Sequence, residues 1–257
     1  MRFPYFPWFR LKYFFLLTAS LFHILVYLVC ALVISVSHDL PAIPATDDAG
    51  ALRAAFGTAG FFEPVPYAAI PEPVVHAFLA ADDVRYLEEG YSQPGCFYWI
   101  RTLFRSGTTL YCGMSYSDQL SRVLVQAENR DRHNPLRRCA LDYKLRLFLS
   151  KTEILGLYLN TVYLGNSRYG VQAAARLYFC KTLDELTPSE AACLAVLAHG
   201  PSRFNPFTRP AELQHRRDWL LDRMAAHAFL SAGEAEAAKA VPVRGIICNG
   251  GSGAEAP

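Results

Sequence analysis

A mainly α-helical domain behind one N-terminal membrane-spanning helix is the fold class this sequence predicts. Three observations predict it. Apolar residues recur at helical spacing in most segments between Pro71 and Ala240. No segment shows the period of two that a half-buried strand needs. The stretch Tyr13–Val36 is apolar and uncharged, interrupted only by Thr18, Ser20, His23 and Ser35.

The anchor comes first along the chain. At about 1.5 Å per residue, Tyr13–Val36 reaches about 36 Å, enough to cross ~30 Å of hydrocarbon with some tilt. Arg2, Arg10 and Lys12 precede it, and Asp39, Asp47 and Asp48 follow it. The positive flank stays in the cytoplasm, which sends the rest of the chain outside. Tyr5, Trp8, Phe9 and Tyr13 then mark the inner interface. A cleaved signal peptide is the competing reading, but its apolar core runs only 7–15 residues, and no good small-x-small site follows just after the stretch.

Beyond residues 1–37, residues 38–61 read as a linker rich in Ala, Pro and acids. The folded domain is expected over 62–242, and a disordered Gly/Ser/Ala-rich tail over 243–257. Pro71 and Pro73 suit a first helical turn, with Val74, Val75, Phe78 and Leu79 as its apolar face. Gly90–Gly113 is rich in Gly and aromatics, with a short helix expected at Arg101–Phe104. Gln119–Ala127 is the next helix, and Asn129–Pro135 a polar break. Leu136–Leu147, Ser150–Leu164 and Gly170–Phe179 follow as helices. Thr187, Pro188 and Glu190 spell a capped helix start, with the helix running to about Ala198. A Pro-rich loop over Gly200–Pro210 leads to helices at Pro210–His227 and Ala232–Ala240.

Composition excludes some functions. The net charge is +2 with no dominant Lys/Arg cluster, so no nucleic-acid partner is indicated. Hydrophobic content is 52% and mean hydropathy +0.13, partly through the anchor. The cysteines are Cys30, Cys96, Cys112, Cys139, Cys180, Cys193 and Cys248. None has C-x-x-C spacing and no Cys/His cluster resembles a metal site. Six lie outside the anchor. An oxidising compartment permits disulfides among them, and sequence does not pair them. Small buried apolar residues are the equal alternative.

The most informative stretch is Ser150–Gly165, where Lys151, Ile154, Leu155, Tyr158, Leu159 and Asn160 form K-x-x-I-L-x-x-Y-L-N. Ile154, Leu155, Tyr158, Leu159 and Val162 make one helical stripe, by itself an ordinary core-facing helix. The identities of these residues resemble the fourth motif of glycosyltransferase family 51, the peptidoglycan polymerases found as monofunctional transglycosylases and in class A penicillin-binding proteins. Other blocks follow in family order, from about Phe62 to Met224.

In the first block the family carries E-D-x-x-F-x-x-H-x-G, and here stand Asp82, Asp83, Val84, Arg85 and Tyr86. The family's catalytic base falls on Asp82. A carboxylate is needed there to take the proton of an acceptor sugar hydroxyl as it attacks the donor. Asp83 would steer it. Asp is one methylene shorter than Glu, and about 1 Å of misplacement costs on the order of 10²-fold in rate. The plain alternative is an acidic helix end on a solvated surface.

The second block, Cys112–Val125, resembles G-G-S-T-I-T-Q-Q-L-x-K-N. Ser115, Ser117, Gln119, Leu120 and Arg122 keep its character, while Met114, Asp118 and Val123 depart. Hydroxyls and backbone N–H groups can hold sugar and pyrophosphate oxygens, and Arg122 would neutralise phosphate. The third block has Arg137 and Arg138 for the family's R-K-x-x-E. Its acid, the second important carboxylate, is either Asp142, one position late, or missing: spacing back from Lys151 puts the acid column on Arg138. Arg138 and Asp142 lie i, i+4 and could equally form a surface ion pair. The fourth block runs on through Phe179-Cys180-Lys181, where the family has F-G-K, to Pro206. The fifth, Arg216–Met224, matches R-R-x-x-V-L-x-x-M. Both read as architecture.

The resemblance implies a lysozyme-like two-lobed helical domain with a smaller, membrane-apposed lobe. It implies inverting polymerisation of the lipid-linked disaccharide-peptide lipid II into glycan strands at the outer face of a bacterial inner membrane. Asp82 and Asp142 would be catalytic. Asp83, Ser115, Ser117, Gln119, Arg122, Arg137, Arg138 and Lys151 would bind substrate. Asp82 is expected within reach of Ser115–Gln119 and of Arg137 or Arg138. No metal ligand set is read; a divalent cation at the pyrophosphate stays open. The implied partners are lipid II, nascent glycan, the membrane and other cell-wall synthesis proteins. The chain ends soon after the fifth block, so a monofunctional architecture is expected. Two rivals are a lipid-binding or scaffold protein that has lost turnover, and a muramidase-like hydrolase with paired carboxylates.

Overall fold

A computed structural model of the chain describes residues 61–88, 115–127 and 135–248, all within one unit, Pro41–Pro257. The expected anchor, the expected linker through residue 60, the helix expected at Arg101–Phe104 and most of the polar break lie outside the described residues. Among the described residues no helix is long and apolar enough to cross a membrane.

The architecture is helical, as the periodicity predicts. Helix α1 spans Glu72–Ala81, α2 Tyr116–Ala127, α3 Pro135–Phe148, α4 Lys151–Thr161, α5 Val171–Phe179, α6 Pro188–His199, α7 Pro210–Ala226, α8 Ala232–Ala240 and α9 Val243–Ile246, with short 3₁₀ turns at Tyr67–Ala69 and Leu183–Glu185. The only strands among the described residues are β1, Phe61–Phe62, and β2, Arg168–Tyr169, which pair in parallel. Two-residue strands are too short for a period of two to show in the sequence.

Helix α6 is the centre of one group of helices, packed by α1, α7, α5 and α8. Its residues from Ser189 to Leu197 are all buried, so it has no polar face. It starts as the sequence says. Thr187 Oγ1 accepts from the Glu190 N–H at 3.3 Å, and Glu190 answers to the Thr187 N–H at 2.8 Å. Glu190 also takes Lys181 Nζ at 2.8 Å, which offsets the burial of its charge. Arg217 of α7 is wholly buried and ties α8 down. It donates to Ser189 Oγ at 2.6 Å and to the carbonyl of Val241 at 2.8 Å, just past the end of α8.

A second group holds α2 against α3 and α4. Ser150 and Glu153 form another capping box at the start of α4. This helix stops at Thr161, three residues short of the Leu164 the periodicity suggests. Val162 is extended, and Gly165, Asn166 and Ser167 all take positive φ to turn the chain into β2. The Asn160 of the Y-L-N motif is architectural. Its carboxamide accepts from Val65 N–H and donates to Val65 O, both at 2.8 Å, pairing with that backbone as a strand would.

The C-terminal expectation is corrected. The segment from Val243 is not a disordered tail at its start: α9 forms, Val243 is fully buried, and Cys248 is disulfide-bonded to Cys180 while its N–H bonds to Tyr178 O at 2.8 Å. Cys180, where the family has Gly, sits in the left-handed region at φ 55° as the C-cap of α5.

Candidate functional site

Asp82 ends α1, its N–H still bonded to Phe78 O at 3.1 Å. The helix runs out there, so the side chain leaves the helix surface and meets two other elements. Asp82 Oδ2 accepts from Gln119 Nε2 of α2 at 3.3 Å. Asp82 Oδ1 lies 2.9 Å from Nε2 of His199, the last residue of α6. The carboxylate is only 4% exposed while the imidazole is 36% exposed. Two buried tyrosines, Tyr116 and Tyr158, lie near enough to feel the Asp82 charge. Tyr116 donates its hydroxyl to Phe78 O at 2.7 Å and packs against Tyr158 at 5.2 Å between ring centroids. Burial, reinforced by the Asp82 charge, holds both phenols well above their ordinary range, so neither exchanges protons near neutrality.

Ser115 caps α2. Its Oγ accepts from the Asp118 N–H at 3.2 Å, and it shares a 2.9 Å hydrogen bond with Ser117 Oγ. Arg146 of α3 reaches across to both, donating Nη2 to Ser115 Oγ at 2.9 Å and Nε to Ser117 Oγ at 3.0 Å. The same guanidinium holds Asp142 Oδ1 at 3.1 Å. Asp142 is 2% exposed, so it is a buried partner of Arg146. The surface pair of Asp142 with Arg138 does not form. Arg138 turns instead to Asp118, donating to its two carboxylate oxygens at 2.9 and 3.2 Å. Arg122, half exposed, adds a longer 3.5 Å contact to the same carboxylate.

The structure therefore brings Asp82, Ser115, Ser117, Gln119, Arg122, Arg138 and Asp142 around the first turns of α2. Arg137 is on α3 beside Arg138. Asp83 is one residue past the Asp82 contact and accepts from the Arg85 N–H at 3.2 Å. Lys151 lies at the start of α4, its Nζ bonded to Glu88 O at 2.6 Å and 6.0 Å from the Tyr86 ring centre.

Three residues of this neighbourhood escape sequence reasoning. Arg146 could have been found as the i+4 partner of Asp142. Asp118 stands out only as a departure from the motif's Gln. His199 has a weaker signal, a polar residue closing an otherwise apolar helix.

Among the described residues of the cluster, the buried carboxylates Asp118 and Asp142 are each held by an arginine. Among the described residues, no three His, Cys, Asp or Glu side chains converge as a metal site. The chemistry on offer is a shielded carboxylate that can take a proton, next to guanidinium and hydroxyl groups that can bind phosphate oxygens.

The chain is similar to known proteins over most of its length. A family model described as Transglycosylase matches residues 51–225. Penicillin-binding protein 1A of Escherichia coli is 36% identical over 65% of this chain and 20% of its own length. A Cupriavidus necator protein whose name carries the word transglycosylase is 34% identical over 70% of this chain and 78% of its own length. The crystal structure of penicillin-binding protein 1A from Haemophilus influenzae aligns over 72% of this chain and 18% of that one, at 29% identity and a TM-score of 0.45. The matched region spans about a fifth of the length of the penicillin-binding proteins.

Proposed function

This chain belongs to the transglycosylase family, and on that premise we propose that it is a membrane-anchored peptidoglycan glycosyltransferase. It joins lipid-linked disaccharide-peptide units, lipid II, into glycan strands, with inversion at the anomeric carbon. The observation that carries the reading is the buried carboxylate of Asp82 bonded to Gln119 of α2, the helix whose first turns also carry Ser115, Ser117 and the Arg138–Asp118 pair.

In this reading Asp82 accepts the acceptor's hydroxyl proton while the sugar oxygen attacks the donor's anomeric carbon. Arg122, Arg137 and Arg138 meet the departing pyrophosphate, and Ser115 and Ser117 orient its oxygens. Asp142 acts through Arg146, holding the guanidinium against both serines. Asp83 and Lys151 border the acceptor side. The two groups of helices form the two lobes of a lysozyme-like domain, and the N-terminal apolar stretch keeps it beside a substrate that lives in the bilayer. The Cys180–Cys248 disulfide supports an oxidising compartment outside the cytoplasm.

One observation favours a second reading. Both oxygens of Asp82 are already in contact with protein groups, and spacing back from Lys151 puts Arg138 in the family's second acid column. A chain that binds lipid II as a scaffold without turnover would tolerate both. Incubating the purified protein with lipid II separates the readings. Glycan polymer supports the transferase, and binding without product supports the scaffold. Cleavage of finished glycan would make it a hydrolase.

A further inference from the structure

His199 belongs to none of the residues assigned so far, yet it makes the shortest contact to Asp82. Its two ring nitrogens are both committed. Nδ1 lies 3.0 Å from Ala195 O, four residues back in the same helix. A carbonyl can only accept, so Nδ1 carries a hydrogen. Nε2 then faces Asp82 Oδ1 at 2.9 Å. Two lone pairs facing each other at that distance repel, so the 2.9 Å contact is the form of the pair that holds a proton, and the contact loosens when that proton leaves.

We propose that His199 is the proton relay of Asp82: it takes from Asp82 the proton of the acceptor hydroxyl and returns it to solvent. This rests on Asp82 being the base of the proposed transferase. The geometry supplies the route. Asp82 is 4% exposed and has no direct way to discharge a proton to water, whereas the His199 side chain is 36% exposed. Every glycosidic bond formed leaves one proton behind. The acceptor O–H breaks, the new C–O bond forms, and the bond from the anomeric carbon to the phosphate oxygen breaks with its electron pair on the pyrophosphate. The proton passes to the Asp82 carboxylate, then across 2.9 Å to Nε2, and leaves for bulk water when the partly exposed ring turns Nε2 from Asp82 to solvent. A polymerase must clear it before the next turn.

The working form of the pair is therefore the one with His199 neutral and the Nε2 lone pair open. Imidazolium fills the slot in advance. Its hydrogen bond to Asp82, chiefly, raises the His199 pKa above 6.5; burial opposes this, and Arg216 of α7 opposes it further. The carbonyl end of α6 also favours the charged ring. The groups facing the pair from other elements are Gln119 of α2, the phenols of Tyr116 and Tyr158, held well above their ordinary range, and the guanidinium of Arg216.

The test uses the full chain in detergent with lipid II, together with NMR titration of its histidines. His199→Gln keeps an N–H donor for Asp82 and cannot relay a proton. In wild type, the His199 ring should titrate above 6.5, and in Asp82→Asn it should fall back toward its ordinary value. The wild-type turnover should rise with pH through the same midpoint. His199→Gln should lose that limb and turn over at least about tenfold more slowly, with KM near wild type. A His199→Gln enzyme with the wild-type rate and pH profile overturns the relay and leaves the transferase standing. A wild type that makes no glycan at any pH overturns both, even where His199 titrates upward.

Discussion

Arg138 of α3 clamps both carboxylate oxygens of Asp118 of α2, at 2.9 and 3.2 Å. Asp118 stands where the motif has Gln, and Arg138 stands where spacing back from Lys151 places the motif's acid. The two departures answer each other: where family 51 keeps a neutral amide and a carboxylate, this chain has a carboxylate and a guanidinium in contact. Asp118 is 2% exposed and Arg138 22%. Arg138→Ala leaves a buried carboxylate with only the 3.5 Å contact to Arg122, and should cost about 3 kcal/mol in urea unfolding. Asp118→Gln combined with Arg138→Glu restores both family residue types. The double variant should be at least ~1 kcal/mol more stable than the sum of the single losses. Additive losses would mean that the pairing does not explain the two departures.

Gly170 caps α5 at φ +80° and ψ 156°, a conformation almost confined to glycine. A Cβ there would drive into the backbone carbonyl of Asn160, the residue that holds Val65. Gly170→Ala should lower stability by about 3 kcal/mol or more, read as the shift in the urea midpoint. A loss under about 1 kcal/mol would show that α4 and α5 can part locally at little cost.

The Cys180–Cys248 disulfide closes 68 residues and fastens the C-terminal segment to α5. Reductant should lower stability by about 2–4 kcal/mol, and Cys248→Ser should show the same loss with no further response to reductant. Cys193 is fully buried, and its surroundings push the thiol up to about 12, so it should stay unlabelled by thiol reagents in the native state. Native labelling of Cys193 at the rate of a free thiol would contradict the packing of α6.

The raised His199 pKa also sets a stability dependence on pH. A base whose folded value lies above its unfolded one binds protons more tightly when folded. Its contribution is fully present below about pH 6.5 and fades as pH rises through the folded value. Wild type should therefore lose stability relative to His199→Gln as pH climbs from 6 toward 9. A difference that does not change over that window would remove the ion pair from the account.

The helices were largely legible. Their cores follow the 3.6-residue period and their starts carry capping residues, both local signals. What escaped depends on contacts between distant segments. Asn160 pairs with Val65 across 95 residues, and His199 meets Asp82 across 117. No local pattern encodes either contact. Asp118 shows why motif departures mislead when read singly, since its reason lies on α3, 20 residues away. The tail from Val243 read as disordered because its Gly- and Ser-rich end masks one buried valine and one bonded cysteine.

The central claim is that Asp82 is the base of a glycan-polymerising site, and one comparison tests it most directly. Wild type and Asp82→Asn are incubated with lipid II in detergent, and the products are resolved by chain length. Asp82→Asn keeps the shape and can still bond to Gln119, but its amide is not a base. Wild type should build glycan strands, while Asp82→Asn should bind lipid II and yield at most about 1% of the polymer. Asp82→Asn polymerising as fast as wild type would contradict the account.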